Sequence, residues 1–204
     1  MATYEPKDNY YRKARERGLP SRAAFKIEEI ISRARLVSPG ARIIDLGAAP
    51  GGWLTILADA AGENGRVVGI DLVPCRNVPA GLATIIADVS EPEAADAALR
   101  KLGGAADLIT SDLSPKLSGV KARDEARSRE LALAALEFAT RALRPGGAMV
   151  VKLFMSAEFP DTVESFRARF ADVRVMRTAA SRPGSSELYL VARDFHPGTT
   201  ARTR

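Results

Sequence analysis

Asp45-Leu46-Gly47-Ala48-Ala49-Pro50-Gly51-Gly52-Trp53 is the stretch on which the fold turns. Arg42–Asp45 just before it reads as a short apolar strand, and Gly52–Ala61 just after it as a helix. A strand that runs through a glycine-rich turn into a helix opens a doubly wound α/β sheet, and ligands of such sheets lie beyond the carboxyl ends of the strands. Downstream the alternation continues. Arg66–Asp71, Leu82–Ala87, Ala106–Ser111 and Ala148–Phe154 are predicted strands two to five, and Asp172–Arg177 and Leu188–Ala192 the last two. Pro92–Leu102, Asp124–Leu143 and Pro160–Phe170 are predicted helices, the long one closed by Arg144-Pro145-Gly146-Gly147. Strands alternating with helices of this length imply a mainly parallel sheet with helices on both faces. Too little chain separates the last two strands for a helical crossover, so the last strand should pair antiparallel.

Upstream, Ser21 is a good helix cap, and Ala24, Ile27, Ile30, Ile31 and Ala34 recur at helical spacing to about Leu36. Residues 1–20 are basic and aromatic-flecked but lack an apolar period, which predicts an arm partly disordered in isolation. Residues 21–195 should form a single domain, and 196–204 a polar tail.

The glycine turn departs from the dinucleotide fingerprint G-x-G-x-x-G: its glycines stand at 47, 51 and 52, position 49 is alanine, and Pro50 stiffens the loop. That disfavours a pyrophosphate cradle and favours the amino-acid end of S-adenosylmethionine. Gly47, Ala48, Pro50, Gly51 and Gly52 let backbone approach a ligand, and the helix start offers free N–H groups. Asp71, ending the second strand, suits the hydroxyls of a ribose; Asp88, after the third, can accept from an adenine amino group. Trp53 either walls the pocket or packs in the core.

Composition narrows the chemistry. The chain has 204 residues, 46% hydrophobic and 27% charged, with a net charge of +5. That is ordinary for one globular domain and favours an anionic partner, nucleic acid first. Cys75 is the only cysteine and His196, in the polar tail, the only histidine. An intramolecular disulfide and a cysteine-rich metal site are thereby excluded, and a histidine base within the fold is not expected. There is no signal-like or membrane-length apolar run, so a cytoplasmic protein is expected.

DLGAAPGGW (45–53), preceded by Ser21–Lys26 (SRAAFK) and followed by Asp71-Leu72-Val73-Pro74, resembles the FtsJ/RrmJ (RlmE) family of ribosomal RNA methyltransferases, from about Ser21 to Arg193. The resemblance implies a Rossmann-like S-adenosylmethionine-dependent methyltransferase fold with a seven-stranded sheet. It also implies a Lys-Asp-Lys-Glu tetrad, matched by Lys26, Asp112, Lys152 and Glu187. Cofactor contacts carry over to Gly51, Trp53, Asp71, Asp88 and Asp112, and no metal is expected. It implies methyl transfer to a ribose 2′-hydroxyl of RNA, a uridine of large-subunit (23S) ribosomal RNA in the family's single-domain members. The sequence itself says little about oligomeric state, and a monomer is the expectation. Relatives act on tRNA or cap structures. The twenty residues before Ser21 are too few for the extra N-terminal RNA-binding domain of a haemolysin-like related group. One departure stands out: the family's D-M-A-P-N is here Asp112-Leu113-Ser114-Pro115-Lys116, so Lys116 replaces an asparagine that bears on substrate contacts.

These residue types suit the reaction. Displacement at a sulfonium needs alignment, and a 2′-hydroxyl needs a base or a cation beside the developing alkoxide. Lys152 sits on an otherwise apolar strand, Met149 to Phe154, where a lysine is costly unless it points into the crevice. The expected division is that Lys152 takes the proton or stabilises the oxyanion, Asp112 and Lys26 set its charge state, and Glu187 holds a lysine or the hydroxyl. The arm and first helix hold Lys7, Arg12, Lys13, Arg15, Arg17, Arg22, Lys26, Arg33 and Arg35, with Tyr4, Tyr10 and Tyr11 among the early ones, which suits an RNA-binding arm, a merely solubilising tail being the alternative. Lys116, Lys121 and Arg123 can extend that surface, whereas Arg202 and Arg204 belong to the tail. A base-amino methyltransferase would carry an N-P-P-Y-like motif where Asp112-Leu113-Ser114-Pro115 stands, and Cys75 is poorly placed for carbon methylation. A ribosome-assembly RNA-binding factor with the same fold is the reading from another class.

Overall fold

The computed structural model describes residues 9–19, 23–76, 78–79, 81–116, 118–181 and 184–197. Ser21, Tyr4, Lys7, Arg22, Arg202 and Arg204 lie outside them, as do the side chains of Tyr10, Tyr11 and Lys13. In chain order the elements are α1 (Asn9–Glu16), α2 (Ala24–Ala34), β1 (Arg42–Leu46), α3 (Gly52–Ala61), β2 (Arg66–Asp71), β3 (Ala83–Ile86) and α4 (Pro92–Leu102). They continue with β4 (Ala106–Ser111), α5 (Lys121–Ala142), β5 (Leu143–Phe154), α6 (Phe159–Arg167), β6 (Phe170–Met176) and β7 (Glu187–Phe195).

The seven strands form one sheet in the order β3-β2-β1-β4-β5-β7-β6. Strands β1 to β5 pair in parallel, and β7 runs antiparallel to both β5 and β6. The expected architecture, including the antiparallel last strand, is therefore the one adopted. Side chains alternate between faces along a strand, so each strand feeds two cores. Ile44, Val151 and Leu190 pack with α4, α5 and α6, while Ile43, Val150 and Tyr189 pack with α2 and α3.

Local chemistry explains the element ends. Proline opens α4, where its missing N–H costs nothing, and Gly103 at φ 75° closes it, donating to Leu99. Helix α2 stops at Arg35, which adopts a left-handed φ of 49°. Its first helical residue is Ala24, with Ala23 at the cap position and no side-chain hydrogen bond there, so the helix starts later than expected from Ser21.

Three other expectations need correction. Residues 9–16 of the arm form α1, which the sequence pattern did not announce. Its anchors are tertiary: Ala14 and Leu19 are buried, and Arg17 forks both carboxylate oxygens of Glu28 on α2 at 2.8 Å. Arg144-Pro145-Gly146-Gly147 is not a separate turn, because β5 starts at Leu143, directly where α5 ends. The extra residues are absorbed by an irregularity between the pairs Ala106–Leu143 and Leu108–Ala148. Phe170 begins β6 instead of ending α6, since its ring is buried between Phe166 and Phe195.

The glycine turn lies directly on β2. A Cβ at Gly69 would come within 2.8 Å of the Ala48 Cβ and of Leu54 Cδ1 on α3. Gly69→Ala should therefore push the turn off the sheet at a cost of about 1–3 kcal/mol. Thermal denaturation is expected to show a Tm lower by roughly 2–4 °C for each kcal/mol lost; an unchanged Tm would contradict this packing.

Candidate active site

Strand alternation puts the chemistry on one face of the sheet. Lys152 shares the face of Val150 on β5, and Glu187 shares that of Tyr189 and Val191 on β7, the face covered by α2 and α3. Lys152 pairs in register with Tyr189, and Phe154 with Glu187. Asp112 follows β4 directly, its N–H bonded to the Leu46 carbonyl at 3.0 Å. Lys26 reaches the same place from the first turn of α2.

The four residues expected as a tetrad converge as two ion pairs. Lys152 is buried, its side chain 7% exposed; its Nζ donates to the Asp112 carbonyl at 2.8 Å and lies 2.9 Å from Asp112 Oδ1. That Oδ1 is shielded from solvent yet receives no well-aligned hydrogen bond, so it is an acceptor with capacity to spare. Lys26 Nζ grips both oxygens of Glu187, at 2.7 and 2.8 Å. Ser181 and Tyr189 hydroxyls also donate to Glu187 Oε1, at 2.9 and 3.1 Å. Burial works to raise the Glu187 carboxyl, but the Lys26 hydrogen bond and charge, helped by Ser181 and Tyr189, win and hold it below the usual carboxylate range. Tyr189 sits between the pairs: burial, then the charges of Asp112 and Glu187, push its phenol far above its ordinary value, so it remains a neutral donor.

Beside the pairs lies the glycine turn. The N–H groups of Gly47 and Ala48 bond back to the Ile70 carbonyl, and the Ala49–Pro50 peptide is cis. Gly47 (φ 76°) and Gly51 (φ 115°) hold left-handed conformations, and a Cβ on Gly47 would meet the Leu113 backbone nitrogen at 3.0 Å. Gly52 opens α3, which has no side-chain cap, leaving the first-turn N–H groups of the helix without intrahelical acceptors. Asp71 accepts from Ala49 N–H at 2.9 Å and from Val73 N–H at 3.1 Å, so it braces the turn while keeping lone pairs for a ligand. Asp88 is exposed, and its Oδ1 accepts from both the N–H and the hydroxyl of Ser90. Trp53 takes the core alternative: it is 4% exposed, its Nε1 donates to the Ala23 carbonyl at 2.9 Å, and its ring lies 6.0 Å from that of Tyr189.

Asp45 carries more than its position at a strand end suggested. It is fully buried; Thr110, its register partner on β4, donates to Oδ1 at 2.7 Å, while Oδ2 has no partner among the described residues. Complete burial pushes Asp45 up to about 8; the Thr110 bond opposes this, and the charges of Asp112 and Asp71 add to it. Burial, then Asp71 and Asp45, likewise raise the Cys75 thiol, which makes it a poor nucleophile. The turn thus faces the Asp71 carboxylate, the buried Asp45 carboxyl and the Asp112 carboxylate already paired with Lys152. Among the residues sequence reasoning passed over, Tyr189 was detectable, since it stands two positions from Glu187 and so shares its face. Ser181 was not, because only the loop before β7 brings it to Glu187. Of the cations of the arm and α2, Arg12, Arg17 and Arg33 are engaged with Glu16, Glu28 and Glu29.

With this geometry in view, comparison with known proteins is decisive. Residues 19–195 match the family described as FtsJ-like methyltransferase. The chain belongs to that family. It is 49% identical over 191 residues to Ribosomal RNA large subunit methyltransferase E of Anaeromyxobacter sp. (strain Fw109-5), covering 93% of this chain and 69% of that protein. It is 47% identical over 190 residues to the protein of the same name from Myxococcus xanthus (strain DK1622), covering 92% and 89%. A crystal structure of a ribosomal RNA methyltransferase from Plasmodium falciparum shares the fold, with a TM-score of 0.75 at 24% identity over 86% of this chain and 97% of that one.

In this FtsJ-like methyltransferase, Asp45 has a thermodynamic signature. An acid whose folded pKa lies above its unfolded value stabilises the fold when protonated; that contribution is full below the ordinary carboxylate range and is lost as pH rises through about 8. Asp45→Asn removes the titration. Melting curves of the ligand-free proteins should show the variant gaining on the wild type between pH 5 and pH 9, whereas a pH-independent gap would mean that Asp45 is ionised throughout.

Proposed function

We propose that this enzyme transfers a methyl group from S-adenosylmethionine to a ribose 2′-hydroxyl of RNA, a uridine of large-subunit ribosomal RNA, in the cytoplasm. The observation that carries the proposal is the buried Lys152–Asp112 pair, 2.9 Å apart, next to the glycine turn. The relatives named as large-subunit ribosomal RNA methyltransferases support the choice of substrate.

The residues present fit the cofactor. Its ammonium and sulfonium suit the carboxylates of Asp71 and Asp112, and the Asp45 Oδ2, unpartnered among the described residues, is the kind of acceptor a buried cation requires. Its carboxylate suits the free N–H groups of Gly51, Gly52 and Trp53 at the start of α3, where the helix end is positive. Gly47, Ala48 and Pro50 keep the turn thin enough for close approach. Asp71 is the group for the ribose hydroxyls and Asp88 for the adenine amino group. When bound, the cofactor supplies an activated methyl group for in-line displacement.

The chain's own work is then to orient and activate the hydroxyl. Lys152 faces it, as the amine that takes its proton or the ammonium that neutralises the alkoxide, and Asp112 governs which. Glu187, held by Lys26, Ser181 and Tyr189, is preorganised to position the ribose or Lys152. The basic residues of α1 and the segment carrying Lys116, Lys121 and Arg123 supply phosphate contacts, so affinity for RNA should fall steeply with added salt in filter binding. A flat salt response would count against them.

The direct test is radiolabelled methyl transfer to ribosomal subunits and to tRNA, with mapping of the modified nucleotide. Wild type should label the large subunit at a 2′-O position. Lys152→Ala should lower kcat by roughly 10²–10⁴-fold while calorimetric affinity for S-adenosylhomocysteine stays within about twofold. Full activity in that variant would remove Lys152 from the mechanism, and exclusive labelling of tRNA would redirect the substrate.

A further inference from the structure

Strand order distributes the crevice into three zones. The ends of β2, β1 and β4 hold the glycine turn and its carboxylates, and those of β4, β5 and β7 hold the two ion pairs. Beyond them, over β5, β7 and β6, lies a cavity of about 530 Å³. Its wall includes Met155, Arg177, Thr178, Ser181, Ser186 and Glu187, so it opens directly onto the Lys26–Glu187 pair.

This cavity has the composition of a nucleotide site. Met155, the first residue after β5, is a large apolar side chain left 43% exposed. Its position is set by its own N–H, which donates to the Ser186 carbonyl at 2.9 Å. Arg177 is exposed just beyond β6, with one hydrogen bond to the Ser185 carbonyl at 3.2 Å and donors to spare. The hydroxyls of Thr178 and Ser181 are 3.0 Å apart, and the latter reaches Glu187. The segment is braced from outside: Glu29 on α2 accepts the Ala179 N–H at 2.8 Å, and Arg33 donates to the Arg177 carbonyl. An apolar contact for a base, a guanidinium for a phosphate and hydroxyls for polar edges are thus held in one braced cleft.

Electrostatics sets the direction. A polyanion is disfavoured on the side carrying Asp71, whose carboxylate is met by backbone N–H groups, whereas on the other side Asp112 and Glu187 are matched by Lys152 and Lys26, and Arg177 adds a positive charge. We infer that the cavity over β5, β7 and β6 seats the RNA nucleotide that bears the target hydroxyl, its base against Met155 and its phosphate at Arg177. This rests on the methyl-transfer reading above.

The test is steady-state methylation of large ribosomal subunits by Met155→Asp and Arg177→Glu, with Met155→Leu and Arg177→Lys as conservative partners. Thermal melting and S-adenosylhomocysteine calorimetry accompany each variant to confirm intact folding. The disruptive variants should raise KM for RNA about tenfold or more, the scale of one lost base or phosphate contact, with cofactor affinity unchanged and the conservative variants near wild type. A lower kcat at unchanged KM would overturn the inference, since the residues would then act only through Glu187; so would no effect at all. RNA carrying 4-thiouridine at the methylated position should photo-crosslink to Met155 or its neighbours, which reads the same contact without any variant, and a crosslink to residues 113–121 instead would refute it. If wild type methylates no RNA, the underlying reading fails and this inference with it.

Discussion

A lysine in the middle of an apolar strand can be folded only if its charge is met inside the protein, and Lys152 obliges everything near it to comply. Removing one partner of such a buried pair typically costs about 3–5 kcal/mol, because the other is left uncompensated. The β4 strand must therefore deliver Asp112 to the same depth as β5 delivers Lys152, and Asp112 meets the ammonium with both its carbonyl and its carboxylate. Lys26 and Glu187 repeat the solution one strand over. Neither pair is there for stability, which apolar residues of similar size would serve as well. Both hold charge, preformed, at the edge where a reaction needs it.

The two sides of the mouth are electrostatically unlike. Under the glycine turn, burial above all, and then the charges of Asp112 and Asp71, raise the Asp45 carboxyl to about 8, with one oxygen unpartnered among the described residues. Around the tetrad, charges are balanced, and hydroxyls supply further bonds to Glu187. On the proposed function, a cationic cofactor and an anionic RNA strand would take opposite halves of one crevice, and the nucleophile and methyl donor would meet at the boundary, where Lys152 and Asp112 lie.

Most strand and helix positions were readable in the sequence because they follow from short-range rules: alternation, helical spacing, a proline at the start of α4 and a glycine at its end. The failures share a cause. Among the described residues of helix α1 the buried apolar one is Ala14, and the chain just after it leans on Glu28 of α2 through Arg17. The long β5 absorbs Pro145 and Gly146 because Leu143 is pulled into the core beside Ala106. In each case a contact distant in sequence overruled a weak local preference.

The same division holds for the active site. The sequence by itself determined that a turn built on Gly47, Gly51 and Gly52 would end a parallel strand, and that Lys152 would be an anomaly in an apolar one, because both are properties of neighbouring residues. Tertiary structure alone decided that Lys26 grips Glu187 across 161 positions, that Tyr189 links the pairs, that Trp53 serves the core, and that Asp45 is left a carboxyl without a full set of partners. Burial and pairing are properties of the space that several strands enclose together, and no single stretch of chain contains that information.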